Sequence, residues 1–250
     1  MKRVVFFVVL VSSFCFSQTK GGEAFYSFVL SPPEELKKEE RLYKSMEESS
    51  VYAENMQLSL LFNSKQALFS GEEQKGIPNM EEKMALALCG CSSDYYVDIS
   101  SKTIIYNSPE SSMMGRKKDE YLIEKPMETD WVLSGESKEI NGILCYKATQ
   151  TITYNNGVKD FTKVVTAWYA PSIPYSFGPN GYGGLPGLIL ELNDRFVTFG
   201  LKSIKFSDNE PKIVFPEKGK KVTHKEYENI LMKGVEEIRE SMKSQEFNRR

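Results

Sequence analysis

From Gly22 to Lys205 the chain is a succession of short runs rich in Val, Ile, Thr, Tyr and Phe, broken by turn residues. Such runs are built for a sheet: β-branched and aromatic side chains suit a pleated, half-buried surface, and Asn, Asp, Gly and Ser suit the corners. The runs cover 22–30, 51–62 with 67–69, 95–100, 103–107, 121–124, 131–133, 144–154, 161–169, 187–193 and 195–205. Ser100-Ser101-Lys102, Asn155-Asn156-Gly157 and Asn193-Asp194 read as hairpin corners, because Asn and Gly accept positive φ at little cost. Within 161–169, Phe161, Lys163, Val165, Ala167 and Tyr169 share one face, and Thr162, Val164, Thr166 and Trp168 share the other. Neither face is purely polar, which predicts a central strand.

Helix signals are confined to two places. Residues 34–49 are charged, with Leu36, Tyr43 and Met46 at roughly helical spacing, and read as a helical or flexible insertion after Pro32-Pro33. At the other end Thr223 and Glu226 form a capping box, and Tyr227, Leu231, Val235, Ile238 and Met242 fall on a single stripe over 223–245. Residues 72–82 are polar and read as a loop, after which Met80, Met84, Leu86 and Leu88 lead to Cys89-Gly90-Cys91. The expected fold is mainly β with α: a large curved antiparallel sheet or half-barrel, closed by a C-terminal amphipathic helix.

Residues 1–17 read as a signal peptide. Lys2 and Arg3 precede an unbroken apolar run, Val4 to Val11, and Cys15 and Ser17 supply small side chains before Gln18. The run is shorter than the roughly 20 residues needed to span a bilayer. Residues 18–250 are then expected to form one exported domain, periplasmic or associated with the outer membrane, with no later membrane span. Loss of Lys2 and Arg3 leaves 30 basic against 34 acidic residues, so no basic surface argues for nucleic acid.

Residues 168–192 contain Gly184-Leu185-Pro186-Gly187-Leu188-Ile189 intact. Around it stand Ala167-Trp168-Tyr169, Ile173-Pro174, Gly178-Pro179 and Leu190-Glu191-Leu192, and upstream Trp131 and the stretch Ile140 to Ala148. On these residues the chain resembles the GLPGLI family of exported proteins from Gram-negative bacteria, strongly over 120–193 and loosely elsewhere. The resemblance brings no activity with it. Physically, Leu185-Pro186-Gly187-Leu188 fits a type II turn, and Gly183 and Gly184 let backbones approach closely. The long segment between Trp168 and Leu188 reads either as a packed plug over the sheet or as a ligand or partner site lined by Trp168, Tyr169, Tyr175, Phe177 and Tyr182.

Catalytic patterns are sparse. His224 is the sole histidine, and no Gly-x-Ser-x-Gly elbow, His-Glu-x-x-His helix or Gly-x-x-x-x-Gly-Lys phosphate loop occurs. Glu191 and Asp194 are carboxylates close to the motif, and exposed charge is their ordinary meaning. Cys89, Cys91 and Cys145 remain after the leader, an odd number for an oxidising compartment. One bridge from Cys145 to Cys89 or Cys91 is expected, since a ring closed within Cys89-Gly90-Cys91 is strained. These observations favour a non-enzymatic binding, carrier or accessory module for an apolar ligand or a partner protein, with no cofactor. An envelope hydrolase using carboxylates or a Ser–Lys pair is one alternative. A thiol or soft-metal module on Cys89 and Cys91, with Met80 and Met84 upstream, is the other.

Overall fold

The computed structural model describes residues 19–53, 56–71, 80–155 and 160–247. The expected leader at 1–17 and the Asn156-Gly157 corner lie outside them. Twelve strands form one sheet: β1 (Gly21–Leu30), β2 (Leu58–Asn63), β3 (Gln66–Gly71), β4 (Tyr95–Asp98), β5 (Thr103–Asn107), β6 (Tyr121–Pro126), β7 (Val132–Ile140), β8 (Ile143–Asn155), β9 (Asp160–Ala170), β10 (Leu188–Asp194), β11 (Val197–Ser207) and β12 (Lys220–Thr223). Their order is β12-β6-β5-β4-β3-β2-β1-β11-β10-β9-β8-β7. Two meanders, β2–β6 and β7–β11, therefore meet on either side of β1. The sheet is mixed, not purely antiparallel: β12 returns alongside β6 in parallel register. That pairing is allowed because the long connection from β11 brings the chain back to the opposite edge.

Among the described residues three α-helices accompany the sheet: α1 (Glu40–Ala53), α2 (Met80–Leu88) and α3 (His224–Phe247). The charged insertion is thus helical, a short 3-10 turn over Glu34–Lys38 leading into α1, whose Met46, Ser49 and Ala53 are buried. Two sequence expectations shift here. Val51 to Ala53 belongs to α1, not to a strand, and Met80 to Leu88 is a helix whose Ala85 is fully buried. The local β propensity of Val51 and Tyr52 yields to tertiary packing.

One core runs through both meanders, with Tyr26, Phe28, Leu60, Phe62, Phe69, Leu192 and Phe199 among its fully enclosed side chains. The inward row of β8 is Tyr146, Ala148, Gln150 and Ile152, opposite Tyr169, Ala167, Val165 and Lys163 of β9. As expected, β9 has partners on both sides. A second, smaller cluster joins Tyr106, Ile123 and Tyr227, docking the start of α3 onto β5 and β6. The predicted cap of α3 is present. Glu226 accepts from the Thr223 backbone N–H at 2.7 Å, and Thr223 Oγ1 accepts from the Glu226 backbone N–H at 3.2 Å. The apolar stripe is used only at its beginning: Tyr227 is 4% exposed, whereas Val235 is 43% exposed. No helix among the described residues is long and apolar enough to cross a membrane.

A candidate binding pocket beside the β9–β10 loop

The segment between β9 and β10 closes on itself through its own backbone. Ile173 N–H donates to Ala170, Leu188 N–H to Ile173, Gly184 N–H to Ser176 and Ile189 N–H to Phe177, all at 2.9–3.0 Å. Its tip is a 3-10 turn, Pro179–Gly181, entered from an extended Gly178. The loop then anchors to distant parts of the sheet. The Tyr175 ring lies 4.7 Å from Phe62 of β2, and its hydroxyl donates to the Thr19 carbonyl at 2.6 Å. Trp131 Nε1 donates to the Gly183 carbonyl at 2.9 Å. Asn180 Nδ2 donates to the Cys89 carbonyl at 2.6 Å, and the Cys91 thiol donates to Asn180 Oδ1 at 3.5 Å. Phe177, Leu185, Leu188 and Ile189 are at most 1% exposed. The loop is thus part of the core, and of the two readings the packed plug describes it.

Leu185-Pro186-Gly187-Leu188 does not make the expected type II turn. Gly187 N–H donates to the Leu185 carbonyl at 2.8 Å, closing a tighter turn about Pro186. Glycine is required there for space: a Cβ would stand 2.2 Å from the Ala170 carbonyl oxygen. Gly184 has both reasons, a φ of +81° and a Cβ position 2.7 Å from the Thr129 side chain.

The five aromatic side chains do not form one lining. Tyr169, Tyr175 and Phe177 are buried in the core. Trp168 points to the opposite face of β9, where the Lys138 ammonium sits 4.4 Å from its ring and is held by both Glu191 oxygens at 2.8 Å. Tyr182 lines a pocket. Cys145 shares the outer side with Lys138, one residue out of phase with the inward row of β8, while Cys91 lies inside against Asn180. The expected bridge between them is therefore absent: Cys89, Cys91 and Cys145 are buried free thiols on two sides of one sheet. Burial holds the Cys91 thiol well above its ordinary value and moves Cys145 up to about 11, which disfavours the thiolates a soft metal needs. Among the described residues no group of three or more His, Cys, Asp or Glu is placed to hold a metal ion.

A pocket of about 420 Å³ opens beside the loop tip. Its walls come from both ends of the strand order, Ile104 and Lys125 on β5 and β6 facing Gln150, Ile152 and Lys163 on β8 and β9. Gly181 and Tyr182 form one side, and Arg195 with His224 and Glu228 of α3 complete the rim. Lys163 Nζ lies 2.7 and 2.6 Å from the two Asp194 oxygens, and the Tyr182 hydroxyl donates to Asp194 at 2.8 Å. Asp194, with a side chain 17% exposed, is no ordinary surface charge. Tyr182 is held far above the usual phenol range by burial and by the Asp194 charge. Burial lowers Lys125 and His224, and Lys125 adds to the depression of His224. His224 Nδ1 is 2.9 Å from the Tyr106 hydroxyl.

Gln150 is the unusual member. It is 1% exposed, and its Nε2 donates to Asp130 at 2.6 Å. A carboxylate accepts only from the NH₂ end, so Asp130 fixes which way the amide points. Gln150 Oε1 is then buried with no hydrogen-bond partner. An unsatisfied buried acceptor costs about 1–3 kcal/mol, and such a group calls for a specific reason. The sequence did carry a trace of this site: Gln150 and Lys163 interrupt inward rows that are otherwise apolar or aromatic.

With this geometry in view, the comparisons give a short family-model match and a likeness of fold. A family model described as "Protein of unknown function (Porph_ging)" matches residues 155–191, from the end of β8 into β10. No curated protein matches the chain. Two solved structures titled "Structure of PNGF-II", in the P21 and C2 space groups, each superpose with a TM-score of 0.50. They share 12% and 11% identity and cover 86% of this chain. The chain spans only 34% and 33% of their length. At that identity the likeness concerns the fold alone.

Proposed function

We propose that this chain is an exported, GLPGLI-type binding module whose site is the polar pocket beside Tyr182, and that it binds a small molecule without transforming it. The observation that carries this reading is the pocket itself, about 420 Å³, walled by strands from both ends of the sheet, with Lys163 and Tyr182 on its lining held in place by Asp194. The sheet is read as a half-barrel, curled so that β5–β6 and β8–β9 share the pocket, with the motif loop as its fixed wall. The tight packing of Tyr175, Phe177 and Leu185 fills the space under the motif loop, which argues against carriage of a lipid at that place.

Export rests on residues 1–17, and N-terminal sequencing of the mature protein is expected to begin at Gln18. The binding reading is tested with isotope-labelled protein and the small-molecule fraction of its native cell envelope. The polar fraction should move the amide resonances of Gly181, Tyr182 and Ile152. Movement by the lipid fraction alone, or by neither fraction, would reject the reading.

A further inference from the structure

The Cys89-Gly90-Cys91 turn has the shape of a socket, and its use rests on the binding reading above: we propose that Asn180 is a positioning residue of the pocket, seated in that turn so that Gly181 and Tyr182 stand as the pocket's loop wall. Asn180 holds a left-handed backbone, φ 52° and ψ 30°, and Gly181 follows at φ +76°. A non-glycine residue in that region is held there by its surroundings. Here they are the end of α2. Gly90, at φ +74°, closes the helix in a Schellman turn: its N–H donates to Ala87 at 3.2 Å, and the Cys91 N–H donates to Leu86 at 2.8 Å. The Cys89 carbonyl then faces outward and accepts from Asn180 Nδ2 at 2.6 Å. A carbonyl only accepts, so this bond turns Asn180 Oδ1 toward the Cys91 thiol, whose nearer acceptor it is, at 3.5 Å against 3.6 Å for Cys89.

The same contacts reach the pocket. Tyr95 donates its hydroxyl to the Gly90 carbonyl at 3.0 Å, and its ring would stand 3.6 Å from a Cβ at Gly181. Ile104, across the pocket wall, would stand 3.2 Å from that Cβ, so Gly181 lies flat between turn and strand. Beyond it the Tyr182 hydroxyl is fastened to Asp194. The strand walls on β5, β6, β8 and β9 are held by ladder pairing, whereas the place of the loop tip is set by these side-chain contacts. The Asn180 amide is spent on the turn at both ends, so it serves the pocket by position. Gly90 is required on the other side: a Cβ there would stand 3.1 Å from Asn180 Nδ2.

Two variants break the seat from opposite sides. Asn180→Gly keeps the left-handed backbone and removes the amide. Gly90→Ala pushes on the amide from a residue outside the pocket lining. Gly142→Ala is the control, with the same backbone strain at φ +75° and open space around it. Amide hydrogen exchange reads the seat without any ligand: Tyr182 N–H, which donates to Pro179 across Asn180, should exchange about tenfold faster in the first two variants, while Leu188 N–H at the loop base keeps its rate. Titration with the polar small-molecule fraction of the native envelope, followed at the Ile152 amide on β8, should need about tenfold more of that fraction for half response in both. Gly142→Ala should match the wild type in both measurements. Unchanged Tyr182 exchange, equal acceleration at Leu188, or an unchanged Ile152 response in Asn180→Gly would overturn the positioning role and leave the pocket a binding site. A wild type that does not respond to the polar fraction would overturn both, and faster Tyr182 exchange would then mark a clamp of the fold alone.

Discussion

Replacing Phe177 by Ala tests whether the β9–β10 loop is core or cover. Phe177 is 1% exposed and belongs to the main apolar cluster. A buried Phe removes roughly 200 Å² from water, worth about 5 kcal/mol at about 25 cal/mol per Å², as an upper bound. Core Phe→Ala substitutions cost about 3–5 kcal/mol once partial collapse of the cavity is included. Domains of this size are stable by about 5–15 kcal/mol and lose about 2–4 °C of Tm per kcal/mol, so a fall of roughly 6–20 °C is expected. Urea denaturation should show a lower midpoint at an unchanged slope, because the amount of surface exposed on unfolding stays the same. Val132→Ala, at an edge position 68% exposed, serves as the control and should stay within about 0.5 kcal/mol. A Phe177→Ala loss below about 1 kcal/mol would refute the reasoning, because it would mean that the loop lifts away at little cost.

Three further outcomes follow from the geometry. Gly187→Ala places a methyl group 2.2 Å from the Ala170 carbonyl oxygen, a backbone atom that cannot turn aside; a loss of stability in the same urea assay is expected, and a neutral result would contradict the packing of the turn. Burial lowers the His224 imidazole below its unfolded value of about 6.5, so the fold favours the neutral ring. Its stabilising contribution is complete above about pH 6.5 and is lost as the pH falls below that value; His224→Gln should therefore lose less stability than the wild type between about pH 7.5 and 5.5, measured by thermal melts. Cys89, Cys91 and Cys145 should resist iodoacetamide in the native protein and all react on unfolding without reductant; mass spectrometry showing only one of them modified would restore the bridge.

Much of the sheet was legible because alternating β-branched and aromatic residues encode a half-buried strand wherever they occur. β9 and the β10–β11 hairpin match their predicted runs closely, as does the capped start of α3. α2 was not legible, since Met, Ala and Leu beside a polar stretch fit a loop or a helix equally well until β3 and α1 pack on it. The pairing of β1 with β11 was equally hidden, because no local pattern encodes a partner that far along the chain. The aromatic residues around the motif suggested a lining on composition alone. The alternation along 161–169 already put Trp168 and Tyr169 on opposite faces, as any strand must, and the shared lining overlooked it. The pocket was missed for a related reason: Lys125, Gln150, Lys163 and His224 come from four separate elements, and nothing in their spacing announces that the sheet brings them together.

The position of β1 has a consequence for biogenesis. Among the twelve described strands it is made first, yet it sits between β2 and β11, and β11 is made next to last. Each meander can assemble from neighbouring hairpins, but until β11 arrives the growing molecule keeps an open β1 edge that invites pairing with another chain. High contact order of this kind slows folding, so the seam at β1 is where a nascent copy is most exposed to strand exchange and most dependent on a holding chaperone.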